Sequence, residues 1–162
     1  MSELVNRKPN KSEVLLWSIA LPGFGQLLNK KYVKGIFFIL VEIFINVKAV
    51  LNVVIVHSFL GQMELAVDKT NYLWLMFYPC LYLFAIWDAY RDAGAGEEPF
   101  QYIPFVCSAY IGTIGVIYSS TFTVFGYLIG PVFLPIIAMI GGFLLGGMIK
   151  EIVKSKSRKN KA

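Results

Sequence analysis

Residues 102–149 carry no charged side chain. That run is too long for one membrane crossing of roughly 20 residues, and it fits two joined by a turn. A soluble helix needs a polar face toward water, and this stretch offers none. Two shorter blocks repeat the pattern. Residues 72–87 are uncharged, and residues 36–56 include only Glu42, Asn46, Lys48 and Asn52 as strongly polar side chains. Hydrophobic residues make up 57% of the chain and mean hydropathy is +0.63. An average soluble domain holds about 45–50% apolar residues.

The expected fold class is therefore all-α, a polytopic membrane helical bundle. The apolar blocks predict spans over residues 35–57, 72–90, 101–119 and 127–149, with Pro79 a kink in the second. A polar loop is expected over residues 58–71 and a tight turn over residues 120–126. Residues 1–12 read as a disordered basic N-terminus, residues 13–149 as a single transmembrane domain, and residues 150–162 as a basic cytoplasmic tail.

Residues 13–28 are apolar but short, and Pro22-Gly23-Phe24-Gly25 breaks them in the middle. Proline removes a backbone donor and glycine permits sharp turns. This segment reads as a re-entrant or interfacial hairpin; the alternative is a fifth span. Charge placement discriminates between the two. With four spans, thirteen Lys and Arg residues share one side and Lys69 stands alone on the other. With five, the division becomes ten to four. Both obey the positive-inside rule, and the four-span layout obeys it better. It puts both termini in the cytoplasm.

Arg7, Lys8 and Lys11 before the apolar residues 14–21, with Ser18-Ile19-Ala20 as a small-x-small site, resemble a signal peptide. Insertion without cleavage fits better, because the segment runs straight into the Pro-Gly motif. The net charge of +5 raises nucleic acid as a partner. The basic residues instead flank the apolar blocks, as topology-setting charges do, and no nucleic-acid partner is expected.

No catalytic, cofactor or metal constellation emerges. Cys80 and Cys107 fall inside predicted spans without ligand spacing and read as small buried hydrophobes. His57 has no second His or Cys nearby. Gly23-x-Gly25 lacks the rest of a phosphate loop.

Four features remain. At 100° per residue, Glu42, Asn46, Lys48 and Asn52 share a sector of about 160° on one helix, an expected inward polar stripe. Charges at that depth are costly and turn toward the protein interior, either to line a solute path or to fix packing. Asp88 and Arg91, with Asp92, end the second span on one helix face. They anchor the helix end, or contact the basic connector of residues 30–34 or lipid headgroups. Gly142-x-x-x-Gly146, preceded by Gly126-x-x-x-Gly130, allows close helix approach within the chain or with another copy. The basic tail suits anionic lipid.

Pro22-Gly23-Phe24-Gly25-Gln26, then Asn29-Lys30-Lys31-Tyr32 and Lys34-Gly35, follow the pattern P-G-x-G-Q-x-x-N-x-x-Y-x-K-G. This resembles a motif of the two-transmembrane domain family of small bacterial membrane proteins. Trp87-Asp88 resembles an aromatic-Asp pair near the end of the next helix in that family, at a greater intervening length. The resemblance covers residues 15–92 and leaves the last two predicted spans outside it. It implies a bacterial inner-membrane location and no common activity.

The functional expectation is a non-enzymatic membrane component acting through helix–helix association with itself or another membrane protein. The alternative is a small transporter or channel subunit with a polar path along the first full span. A membrane enzyme would need Glu42 and Asp88 at one depth, and the spacing puts them at different depths.

Overall fold

The computed structural model describes residues 9–159. The disorder expected for residues 1–12 lies, up to residue 8, outside the described residues. Lys11 and Ser12 are helical instead and open α1 (Lys11–Ala20), whose N-cap Asn10 accepts a hydrogen bond from the Ser12 backbone N–H.

Helix α1 has 10 residues, about half of what a 30 Å crossing needs. It ends at Leu21. Gly23 then turns the chain with a left-handed φ of 102°, and α2 (Phe24–Leu28) runs back. Lys11 lies beside Gly94, while the Ile19 carbonyl accepts from Tyr82 Oη at 2.6 Å. On the return, Asn29 Nδ2 donates to the Ala89 carbonyl at 2.7 Å. Both ends of the hairpin therefore sit at the same end of the helix that contains residues 82–89.

Gly23 is fixed twice over. Its φ strains any side chain, and a Cβ there would stand 2.6 Å from the Gly35 carbonyl oxygen. Gly23→Ala is expected to cost about 1–3 kcal/mol through the strained backbone. Thermal unfolding in mild detergent measures it; an unchanged midpoint would refute the tight turn.

The predicted first span is two helices, α3 (Tyr32–Ala49) and α4 (Leu51–Phe59), bent by 64° at Val50. Val50 is left-handed, φ 58°, and the freed Ala49 carbonyl is within 3.4 Å of the Asn71 backbone N–H. The expected loop 58–71 contains α5 (Met63–Lys69). Its Ala66 is buried against Val54 and Val132.

Helices α6 (Tyr72–Leu75) and α7 (Tyr78–Asp92) make one 21-residue apolar segment. Pro79 occupies the first turn of α7, where its missing N–H is tolerated. Next comes α8 (Ile103–Tyr118), also with a proline in its first turn. The turn after it is a small antiparallel hairpin, β1 (Thr123–Val124) and β2 (Tyr127–Leu128), closed by Phe125 and Gly126, both at positive φ. A two-residue hairpin turn requires positive φ at both central positions. The last predicted span accordingly begins at residue 130 rather than 127, as α9 (Gly130–Lys159). The basic tail continues this helix to Lys159; residues 160–162 lie outside the described range.

The chain is thus mostly helical. Two helical segments, Tyr72–Asp92 and Gly130–Lys159, are long and apolar enough to cross a membrane, and the bent α3–α4 pair adds a third if it counts as one span. Helix α8 is apolar but shorter.

Helices α8 and α9 pack backbone to backbone. A Cβ on Gly142 would meet Ser108 Cα at 2.8 Å, and one on Gly146 would meet Pro104 Cα at 2.5 Å. Ser108 Oγ donates to the Met139 carbonyl at 2.7 Å across the same seam. The Gly142-x-x-x-Gly146 motif is therefore spent within the chain. Gly126 and Gly130 serve the hairpin and the start of α9 instead, at φ 84° and 81°. Cys80 is exposed and Cys107 half-buried, contrary to the expectation of two buried thiols, since Cys80 falls on the outer face of α7.

Candidate functional site

Two polar assemblies stand out in this apolar bundle. The first gathers the Pro-Gly motif onto the end of α7. Asp88 is buried on the inner face of α7, one turn before the helix ends. Lys34 Nζ donates to its two carboxylate oxygens at 2.9 and 3.2 Å and to Asp92 at 3.0 Å. Arg91 Nη2 donates to Asp88 Oδ1 at 2.9 Å. Gln26, fully buried, donates through Nε2 to the Ala85 carbonyl at 2.8 Å and to Asp88 Oδ2 at 3.3 Å.

The motif positions other than Tyr32 each have a physical role. Pro22 and Gly23 turn the chain. Gly25 lies against Ala89 and Val14, where a Cβ would come within 2.8 Å of the Ala89 methyl. Gln26 and Asn29 tie α2 to α7. Gly35 lets α3 pass the Gly23 carbonyl. Tyr32 is exposed and makes no part of this assembly. The contact between Asp88 and the basic connector runs through Lys34. Lys30 and Lys31, its neighbours, are exposed.

The second assembly lies deeper. Glu42 is 5% exposed on α3, and Tyr78 Oη donates to its Oε1 at 2.7 Å. Its Oε2 is buried with no hydrogen-bond partner among the described residues. The Tyr78 and Tyr82 rings stack at 5.7 Å with planes 16° apart. Glu42, Tyr78 and Tyr82 form part of the wall of a cavity of about 690 Å3. Ser108 adds a hydroxyl, and the rest of the wall is almost wholly apolar, with Leu15, Leu21 and Pro22 from the hairpin and Ile136 and Met139 from α9. Among the described residues, no Lys, Arg or His reaches it.

The predicted polar stripe does not stay together. Asn46 is half-buried, while Lys48 and Asn52 are exposed. Lys48 precedes the bend and stands about 120° from Glu42 around α3; Asn52 lies beyond Val50, where the axis turns by 64°. Lys48 Nζ instead sits 5.9 Å above the Phe44 ring on the outer surface. Tyr78, the partner of Glu42, was not among the sequence candidates. Its distance of 36 residues hides the pairing, although a tyrosine inside an apolar run is a signal that its hydroxyl has an acceptor.

His57 Nδ1 lies 2.7 Å from Gln62 Oε1. Among the described residues, no group of three or more His, Cys, Asp or Glu side chains could hold a metal ion. Comparison with protein-family models, with curated proteins and with solved structures finds no match to this chain.

Proposed function

We propose that this protein is a small bacterial inner-membrane carrier or transporter subunit that takes a hydrophobic solute from the bilayer into the Glu42 cavity. One observation carries the reading: a carboxyl group that is 5% exposed, with one oxygen unpartnered, in the wall of a cavity of about 690 Å3. Pockets for small organic molecules run to about 300–1,000 Å3 and combine apolar walls with a few fixed polar groups. Ionisable side chains within a membrane face the bundle interior or a cavity and mark solute paths.

The topology belonging to this reading has four crossings, formed by α3–α4, α6–α7, α8 and α9, with α1–α2 as a re-entrant hairpin. Its support is the grouping of basic residues. Lys11, Lys34, Arg91, Lys150 and Lys154 gather at one end, since Lys150 reaches Gln101 at 3.0 Å and Lys154 lies 3.9 Å from Glu98. That end is cytoplasmic under the positive-inside rule. The basic end of α9 would then lie along anionic headgroups. Membership of the two-transmembrane domain family is part of the same proposal: the residues that carry the resemblance are those that latch the hairpin, and the hairpin is one wall of the cavity.

Association with a second copy is the rival reading. It is weakened because Gly142 and Gly146 face α8, and it retains only the open side of α9, where Gly141 and Gly147 meet nothing within 4 Å.

Thermal unfolding of the purified protein with a panel of neutral, cationic and anionic aromatic solutes tests occupancy. A ligand at 100 times its Kd stabilises by about 2.7 kcal/mol, a rise of several degrees in midpoint. At least one class is expected to raise the midpoint of the wild type, and Ile55→Trp, which fills the cavity, is expected to lose the rise. A panel in which no class shifts the wild type refutes the carrier reading.

A further inference from the structure

The charge balance of the cavity is incomplete. Among the described residues, Glu42 is the one acid in its wall, Oε1 is engaged by Tyr78, and Oε2 faces no donor. Lys48, six residues further along, points outward onto Phe44. A buried carboxylate without a paired charge is costly, and hydrocarbon offers no water to solvate it. A proton or the positive charge of a ligand can compensate Glu42, and no cation among the described cavity residues does.

The chemistry around it narrows the class. The stacked Tyr78 and Tyr82 rings stand next to the carboxylate, and both hydroxyls are already used, on Glu42 and on the Ile19 carbonyl. What they still offer is ring face, which attracts cations. A hard metal ion needs several oxygen ligands, and one carboxylate oxygen beside two rings does not supply them. The remaining wall favours an apolar body.

The entrance narrows it further. Ile19 on α1 and Ile136, Ile140, Phe143 and Leu144 on α9 line the cavity and are also exposed. The rim is therefore apolar and lies on the side of the bundle. Under the four-crossing topology it opens to acyl chains, so the ligand arrives by partitioning into the bilayer. A second groove, of about 790 Å3 and bordered by Phe44, Phe77, Phe84 and Tyr110, has no charged group among the described residues.

We infer that the cavity selects a hydrophobic organic monocation, an amine or onium with an apolar body, whose charge rests beside the Glu42 carboxyl group and the Tyr78 and Tyr82 rings. This inference rests on the carrier reading and adds the charge class of its ligand.

Three probes of similar shape separate the possibilities: tetraphenylphosphonium, triphenylphosphine oxide and tetraphenylborate, which are cationic, neutral and anionic. Equilibrium dialysis against the wild type in mild detergent is expected to give tetraphenylphosphonium an affinity about tenfold or more above the other two, the scale of one charge-assisted contact. Glu42→Gln is expected to remove that preference while its unliganded melting midpoint stays near the wild type. Tyr78→Phe keeps the carboxylate and is expected to keep the preference for the cation.

If the neutral or anionic probe binds as well as the cation, the class is overturned while the carrier reading stands. If none of the three binds to folded wild type, both fall. The same dialysis in nanodiscs of phosphatidylglycerol, with and without phosphatidylethanolamine, identifies the source. Competition by phosphatidylethanolamine supports the inferred chemistry and makes an ammonium lipid the ligand; undiminished binding assigns it to free amines.

Discussion

Gly146→Leu is expected to force α9 away from α8 and to cost about 3 kcal/mol or more, the upper range for overpacking a tight contact. The side chain would begin 2.5 Å from Pro104 Cα and 3.0 Å from the Ile103 carbonyl oxygen. Both are backbone atoms, so no rotamer change relieves the clash, and the helices must separate. Separation also breaks the bond from Ser108 to Met139 and the edge contact of Phe105 on Phe143 at 5.3 Å. Gly142→Leu is expected to behave alike, because its Cβ would meet Ser108 Cα at 2.8 Å and the Cys107 carbonyl at 2.9 Å. Gly141→Leu and Gly147→Leu supply the contrast. Nothing lies within 4 Å of either Cβ position, and both are expected to stay within about 0.5 kcal/mol of the wild type. Thermal unfolding and size-exclusion elution in one detergent measure all four. Equal damage at Gly147 and Gly146 would move the close contact to another copy of the chain and sink the intramolecular seam.

That seam was half legible in the sequence. Glycines four apart in an apolar helix announce a close approach, but periodicity alone does not name the partner. The partner became definite only when Ser108 and Pro104 arrived opposite them. The hairpin was more legible, because Pro22 and Gly23 act locally: one lacks a donor, and the other takes a φ that side chains avoid. The bend at Val50 left no trace in the sequence. No proline or glycine lies between Gly35 and Gly61, and a β-branched residue in the left-handed region runs against local preference. Tertiary contact holds it there, with Leu51 packed among Ala49, Leu75 and Val116. Helical-wheel reasoning assumes an unbroken axis, which ends before Asn52; Lys48, on α3 itself, stands about 120° from Glu42 and is exposed. Asp88 was visible as an acid at a helix end, and the basic connector of residues 30–34 as one candidate contact; that Lys34, 54 residues away, is the partner follows from no local rule.

Asp88→Ala is expected to unlatch the hairpin from α7 and to lower stability by about 2–3 kcal/mol. Removing one member of a buried pair costs about 3–5 kcal/mol when the orphaned charge stays buried. Here the Lys34 side chain is 42% exposed and reaches water, which sets the expectation at or below the lower end of that range. The Gln26 amide has no such escape: it is fully buried and keeps only the Ala85 carbonyl as acceptor. Asp88→Asn keeps the shape and loses the charge, so a smaller loss, about half, is expected. Asp92→Ala removes one exposed-side contact to Lys34 and is expected to cost under about 1 kcal/mol. A double-mutant cycle of Lys34→Met with Asp88→Asn is expected to show coupling of at least about 0.5 kcal/mol. Hairpin release has its own readout. Val14 on α1 is fully buried, so Val14→Cys in a Cys80→Ser, Cys107→Ser background is shielded from maleimide. Adding Asp88→Ala is expected to expose it and raise the labelling rate severalfold. Because Leu15, Leu21 and Pro22 wall the cavity, the same variant is expected to weaken binding of any cavity ligand without touching Glu42. Unchanged labelling together with unchanged stability would show that the Asp88 cluster does not hold the hairpin.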